Sequence, residues 1–454
     1  MTGEETGTPP VSDHVAEAAT PAFVGSTAVC MGLDFGTTNS VAAIVGPDGR
    51  VDTAQFTHDG TTESVCRSAM SFYSTGGTSL VEVGPWAVER YLADPMDCRF
   101  LQSFKTFAAS ASFNATAIHG RPWRYEDLMA AFVSKMLAKG EPLLSPAAGR
   151  LVIGRPVTYA GHAPDAALAE TRYLAALAQC GFKDVHFVYE PVAAAFYFAQ
   201  RLERDATVLV ADFGGGTSDF SIVRFSFGKD GLRGIPLART GVGVAGDRFD
   251  YRIIDNVVSP LLGKGSRYKS FDKMLDIPIH YFANFAAWHQ LAIMKSGPTI
   301  RELRKLALAS EAPAALEMLI TLIEEDLGYP LYKSVSETKL ALSHQDEARL
   351  SFRYDSIAIE ATVEREAFER WIEPDLQRID QAVDLALEQA GLTTGDIDKV
   401  FLTGGTSFVP AVRARFARFG EERLETGNQL LSIASGLALI GQEKDIQRWT
   451  VREA

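Results

Sequence analysis

The chain has 454 residues, 46% of them hydrophobic and 22% charged, which is the balance of an ordinary globular protein with more chain than one small core needs. A formal charge of −13 excludes the clustered Lys/Arg surface that coats a phosphate backbone, so no nucleic-acid partner is expected. The four cysteines, Cys30, Cys66, Cys98 and Cys180, form no C-x-x-C pair; neither a disulfide framework nor a zinc site is expected, and a cytoplasmic location is.

Residues 1–27 carry Glu4, Glu5, Asp13 and Glu17, no Lys or Arg, and few large apolar groups, a composition that reads as a disordered acidic tail. They contain no secretory signal, and no later run approaches the ~20 apolar residues that span a bilayer. From Ala28, AVCMGLDFGTTNSVAAIV is an apolar strand, a Gly/Thr turn and a second apolar strand. Residues 164–180 read as a helix stopped by Gly181, with a strand from Val185 to Tyr189. The strand–turn–strand grammar then returns as TVLVADFGGGTSDFSIVRF at 207–225, an internal duplication with one copy per lobe.

Residues 255–335 break this rhythm. Segments 299–309 and 314–327 have helical stripes (Leu303 and Leu306, Leu319 and Leu322) and little alternates as a strand would, so a helical subdomain inserted in the second lobe is expected. Farther on, Leu376, Ile379, Val383, Leu387 and Ala390 give a helix closed by Gly391, followed by a strand from Lys399 to Thr403. The basic run Arg413–Arg418 has helical spacing and reads as a solvated helix face. Alternating helices and strands imply an α/β fold with mixed sheets covered on both faces.

Phosphate binding needs many donors and little side-chain bulk, which glycines and hydroxyls supply. Gly36, Thr37, Thr38 and Asn39 offer this in the first turn, and Gly214, Gly215, Gly216 and Thr217 in the second. Magnesium prefers to keep its waters, which carboxylates at strand ends can hold; Asp34 and Asp212 stand there, with Asp219 a weaker third. Either turn alone could be a plain tight turn, but two in matching hairpins point to a nucleotide. Rival motifs fail their context. There is no H-R-D catalytic loop to go with Asp-Phe-Gly and no G-x-x-x-x-G-K-[ST] loop. Gly241, Gly243 and Gly246 spell G-x-G-x-x-G but follow a long hairpin rather than the first strand of a β-α-β unit.

Together these segments resemble the nucleotide-binding domain of the 70-kilodalton heat-shock chaperones (the DnaK type), from about residue 29 to 443, and look closest to the truncated YegD-like branch. LDFGTTNS at 33–40 and ADFGGGTSD at 211–219 are similar to the two phosphate loops. YEPVAAA at 189–195 and IASGLA at 433–438 are similar to the connecting helices, LTGGTSFVP at 402–410 to the adenosine loop, VAGDRFD at 244–250 to the segment over the nucleotide, and VIGRPV at 152–157 to the strand before the first-lobe helix. The resemblance implies the actin-like ATPase fold (ribonuclease H-like, duplicated), two lobes around a nucleotide cleft. The expected bounds are lobe I at 28–205, lobe II at 206–443 with the insertion 255–335 and a connecting helix at 428–443 returning to lobe I, and a short polar tail at 444–454. ATP or ADP with Mg2+ is the implied cofactor.

The resemblance also implies roles. Lys105 would face the γ-phosphate, Glu190 would position water or metal from a helix start, and Thr217 would give the γ-phosphate a hydroxyl. Gly246, Asp247, Gly404, Gly405 and Thr406 would line the nucleoside side, with Lys339 and Ser343 on the adenosine helix. Two departures stand out. Leu340 and Phe408 occupy the positions of the family's two adenine-clasping arginines, an apolar and aromatic pair in place of a cationic one. Arg248 replaces an acid beside Asp247. The resemblance ends near residue 443, and a chain without the peptide-binding domain of the full chaperones is expected.

The expected activity is a weak ATPase, ATP and water giving ADP and phosphate, that couples nucleotide state to lobe closure and a protein partner or client. The expected state is a monomer. Alternatives on the same fold are a small-molecule (sugar or acyl) kinase, an actin-like filament protein, and a nucleotide binder without hydrolysis.

Overall fold

In the computed structural model, which describes residues 30–46, 48–95, 97–141, 149–160, 163–228, 231–287, 290–426 and 431–451, the two strand–turn–strand copies are the centres of two sheets of the same topology. The first sheet runs Val51–Thr53, Asn39–Val45, Cys30–Phe35, Arg150–Arg155, Asp184–Tyr189. The second runs Gly231–Val242, Ser218–Gly228, Ala206–Phe213, Lys399–Thr403, Leu424–Thr426. In each, three antiparallel strands are followed by two parallel ones. Apolar residues on both faces of Ala206–Phe213 leave no residue of that strand exposed, as a sheet covered on both sides requires. The mixed α/β architecture is that of the actin-like ATPases. The expected acidic tail, 1–27, lies outside the described residues.

Two helices cross between the sheets and exchange places. Glu190–Ala199 follows the first sheet in sequence but packs Val192, Ala195 and Phe198 on Val208, Val210 and Phe401 of the second. Ser432–Gly441 follows the second sheet and packs Ala434 and Ala438 on Val41, Ala43 and Val45 of the first. The helices touch where Gly436 meets the carbonyl of Ala193; a Cβ on Gly436 would lie 1.9 Å from that oxygen. Only glycine allows this approach.

Outside the sheets, the strands Ala69–Thr75, Thr78–Val83 and Cys98–Gln102 build an outer part of the first lobe. The insertion in the second contains the expected helices, at Gly297–Ala309 and Pro313–Glu324. It also contains a hairpin, Arg267–Ser270 with Lys273–Asp276, in a stretch read as helical. The second of these strands is exposed at every position, so it has no buried face to impose alternation on its sequence. The two outer parts meet above the cleft, where Tyr329 packs edge-on against Phe100 at 5.0 Å and Tyr91 at 6.0 Å, and the Tyr91 hydroxyl donates to the Asp326 carbonyl.

The strand Lys399–Thr403 and the helix Arg365–Ala390, closed by Gly391 at φ 64°, appear where the sequence pattern places them. Two surface readings change. Arg415 pairs with Glu373 and Asp380, and Arg418 with Asp384, so two arginines of the run lie along the acidic side of Arg365–Ala390, while Arg413 pairs with Glu421. Past Gly441 the chain is no free polar tail as far as it is described: Trp449 is 6% exposed, stands edge-on to Phe196 at 4.9 Å, and fills the space left by Gly234. The four cysteines are free thiols, and no described helix is long and apolar enough to cross a membrane.

Candidate active site

The hairpins place their turns in equivalent registers. Asp34 lies opposite Val41 and Phe35 opposite Ser40; Asp212 lies opposite Asp219 and Phe213 opposite Ser218. The turns face each other, with the Thr38 hydroxyl 2.3 Å from where a Cβ on Gly215 would stand, and that of Thr37 3.6 Å from the same point on Gly216. Two rows of small residues and backbone amides therefore border one space, as a polyphosphate requires.

The first turn is braced from its own lobe. The Ser68 hydroxyl donates to the Gly36 carbonyl at 2.7 Å, and the Ser68 N–H to that of Thr38 at 2.8 Å. Nothing in the sequence flags Ser68; only the sheet brings it there. The second turn is held by the segments assigned to the nucleoside. The Asp247 N–H donates to the Gly215 carbonyl at 2.8 Å, and the Thr406 hydroxyl to that of Gly214 at 3.4 Å. Gly404, at φ 84°, passes so close to Phe213 that a Cβ would fall 2.1 Å from its carbonyl. Gly405 is exposed beside it.

Lys105 sits in a short 3-10 turn, Phe104–Phe107, yet is only 8% exposed. Its ammonium donates to Glu190 Oε1 at 2.7 Å. Glu190 is the first residue of its helix, where the dipole favours a carboxylate. Burial works against the Lys105 charge, but Glu190 and then Asp34 outweigh it and hold the ammonium above its ordinary range. Asp34 is raised by burial and then by Glu190, with Lys105 opposing. Burial, then Glu190, Asp34 and Asp219, raise Asp212 further. The site is acidic around one lysine, an arrangement suited to a cation.

The carboxylates of Asp34 and Asp212 accept no side-chain or backbone hydrogen bond among the described residues, so both are available to the waters of an ion. Among those residues no three His, Cys, Asp or Glu side chains converge to ligate a metal directly. Asp219 fits this role less well than the sequence suggests. It is 1% exposed; Oδ1 accepts the N–H groups of Val157 at 2.8 Å and Thr158 at 3.3 Å, and Oδ2 the Thr217 hydroxyl at 2.8 Å. Its carboxylate joins the second hairpin to the loop after Arg150–Arg155 in the other sheet.

On the nucleoside side, Lys339 pairs with Asp250 at 2.8 Å and donates to the Gly246 carbonyl at 3.2 Å. Leu340, next on the helix Gly328–Leu342, is 56% exposed and Phe408 48%, so both apolar groups are open to a ligand. The Ser343 hydroxyl turns back to the Lys339 carbonyl at 3.5 Å. Arg248 turns away from the turns and pairs with Asp375 at 3.5 Å. A cavity of about 370 Å³ lies beyond Asp219, lined by Val157, Thr158, Arg239, Gly241, Arg378 and Leu385.

Comparison with known proteins decides the family. The model of the Hsp70 protein family matches residues 105–269 and 328–445, more than half of the chain. The chain belongs to the Hsp70 family. It is 27% identical over 431 residues to a Chaperone protein HscA homolog of Bordetella petrii, covering 90% of this chain and 57% of that protein. It is 25% identical over 412 residues to the Chaperone protein DnaK of Thermotoga neapolitana, covering 90% of this chain and 58% of that one. The chain thus spans less than two thirds of the length of these Hsp70 relatives.

Proposed function

We propose that this chain is a chaperone-like ATPase that binds ATP with Mg2+ between its two Gly/Thr turns and hydrolyses it slowly with water. The supporting observation is the constellation of Lys105, Glu190, Asp34 and Asp212 between turns of matched register, in a chain whose Hsp70 relatives are named as chaperones. Lys105 would offset charge on the γ-phosphoryl group and Glu190 would orient the attacking water, both fixed by their mutual bond before substrate arrives. Mg2+, held by Asp34 and Asp212 through water, would neutralise the phosphate oxygens. Thr217 now donates its proton to Asp219, so serving the γ-phosphate requires rotation of its side chain. Adenine would lie between Leu340 and Phe408, with Gly246, Asp247, Lys339, Ser343, Gly404, Gly405 and Thr406 around the nucleoside.

Lobe closure belongs to the same reading. The crossing helices each bear on the other lobe's sheet, and the outer parts meet at Tyr91, Phe100 and Tyr329, so a ligand between the turns would couple to both contacts. The lobes are taken as 28–205 and 206–443, with 255–335 inserted and offered to a protein partner. The chain is placed nearest the YegD-like branch on its motif pattern and is taken as a cytoplasmic monomer. Calorimetric titration with ATP, ADP and GTP, followed by phosphate release with and without sugars, tests the proposal. Adenine-selective binding and release independent of any acceptor are expected. Release only with an acceptor would make the protein a kinase, and no binding would end the proposal.

A further inference from the structure

Lys105 is carried by a segment with little regular structure of its own. The chain leaves the strand Cys98–Gln102, turns through Ser103 at φ 55°, and makes the 3-10 turn Phe104–Phe107. Such turns have poorer hydrogen-bond geometry than an α-helix, and a left-handed φ is costly for serine. On one side of the lysine the backbone is anchored by Phe104, which packs against Phe35, Phe132 and Tyr125. On the other side, residues 108–114 form neither helix nor strand, so their carbonyls need partners from elsewhere.

Most of those partners come from one side chain. On the helix Ala166–Gln179, Arg172 donates Nη1 to the carbonyls of Phe107 at 3.0 Å, Ala108 at 2.8 Å and Ser110 at 3.1 Å, and Nη2 to that of Phe113. The N–H of Asp165, the N-cap of the same helix, donates to the intervening carbonyl of Ala109 at 2.9 Å. The guanidinium also lies over the Tyr125 ring at 5.8 Å, the ring that Phe104 meets. Among the described residues Arg172 pairs with no carboxylate, so its side-chain donors are spent on this loop.

The connection to Lys105 runs through a single peptide unit. Between Phe107 and Ala108, the carbonyl accepts from Arg172, while the N–H donates to the Lys105 carbonyl at 3.0 Å. A guanidinium holds its donors in one rigid plane, so the carbonyls on it are fixed relative to one another and to its helix. Lysine has a flexible four-carbon stem, and the place of its ammonium, 2.7 Å from Glu190 Oε1, depends on where its root is held. We propose that Arg172 is a positioning residue for Lys105: by gathering the carbonyls of 107–113 it fixes the backbone that sets the ammonium against Glu190. The fixing of Lys105 stands on these hydrogen bonds; its value for hydrolysis rests on the ATPase reading given above.

The test compares the full wild-type chain with Arg172→Met, which keeps a long side chain over Tyr125 and removes every donor. Asp165→Ala is the control: it removes the carboxylate that caps the same helix at the Leu168 N–H and leaves Arg172 in place. Each protein is treated with an amine-acylating reagent and the modification of Lys105 is followed by mass spectrometry; single-turnover hydrolysis and ATP affinity are measured beside it. Arg172→Met is expected to speed modification of Lys105 severalfold, and Asp165→Ala to leave it unchanged. Arg172→Met should also slow single-turnover hydrolysis about tenfold with ATP affinity unchanged, and add nothing in a Lys105→Ala background. Equal modification in wild type and Arg172→Met would overturn the proposal, as would equal effects of Arg172→Met and Asp165→Ala, the mark of a general loss of stability. Faster modification with unchanged hydrolysis would overturn the role in catalysis. If Arg172→Met does not fold, Arg172→Lys, which keeps a cation without the planar fork, is judged by the same outcomes. If the wild-type protein does not hydrolyse ATP, the ATPase reading and the catalytic value fall together, while modification of Lys105 still decides whether Arg172 fixes it.

Discussion

The two hairpins share a register but are fixed in different ways. The first turn is tied by Ser68 within its own lobe, and its far strand continues as apolar Val41, packed against Ala434 and Ala438. The second turn is tied by Asp247 and Thr406, from segments assigned to the nucleoside, and its far strand carries Asp219 at the position equivalent to Val41. Asp219 reaches the N–H groups of Val157 and Thr158 in the opposite lobe. One copy of the duplicated unit is thus tied within its own lobe, and the other to the segments of Asp247 and Thr406 and to the opposite lobe. The asymmetry rests on few side chains, so it can be broken one residue at a time.

Val41→Asp is the severest test. The side chain is 2% exposed and packs in an apolar cluster with Ala434 and Ala438, so a loss of about 3 kcal/mol or more is expected, read as collapse of the denaturant midpoint. If Val41→Asp were tolerated, the two copies would be interchangeable at this position. Gly436→Ala forces the crossing helices apart against backbone and should cost about 2 kcal/mol in the same assay. Phe408→Ala should weaken ATP about tenfold by calorimetry, as loss of one stacking face does. At the matching register of the first copy stands Tyr159, which is 5% exposed where Phe408 is 48%, so only the second should show this sensitivity.

The smallest expected effect is a pH dependence. Burial and then Glu190 raise Asp219 to about 7, with the Thr217, Thr158 and Val157 donors pulling the other way. The folded state therefore holds this proton more tightly than the unfolded chain, in which Asp titrates near ~3.9. The sign follows: the contribution to stability is full below pH ~4 and is lost as pH rises through about 7. Unfolding midpoints of the nucleotide-free protein between pH 4 and 8 should fall less steeply in Asp219→Asn. Equal slopes would mean that Asp219 is ionised throughout.

The readable features of the sequence were the local ones. LDFGTTNS and ADFGGGTSD carry strand, turn and strand within a few residues, so the duplication and fold show in the string; Lys399–Thr403 and Gly391 do so by pattern alone. What escaped depends on distant partners. The Arg415 partners lie 42 and 35 residues away, so the run 413–418 looks solvated when taken alone. Asp219 resembles a metal carboxylate until Val157 and Thr158 arrive from the other lobe. The hairpin Arg267–Asp276 has too little buried surface to pattern its residues, and Trp449 has no visible function until Gly234 and Phe196 enclose it.

The central claim is that a buried lysine, paired with Glu190 between two matched turns, drives hydrolysis of bound ATP. Single-turnover phosphate release by wild type and Lys105→Ala, with unfolding midpoints confirming that both are folded, tests it most directly. A loss of about 100-fold or more in the rate, with ATP still bound, is predicted. An unchanged rate would contradict the account.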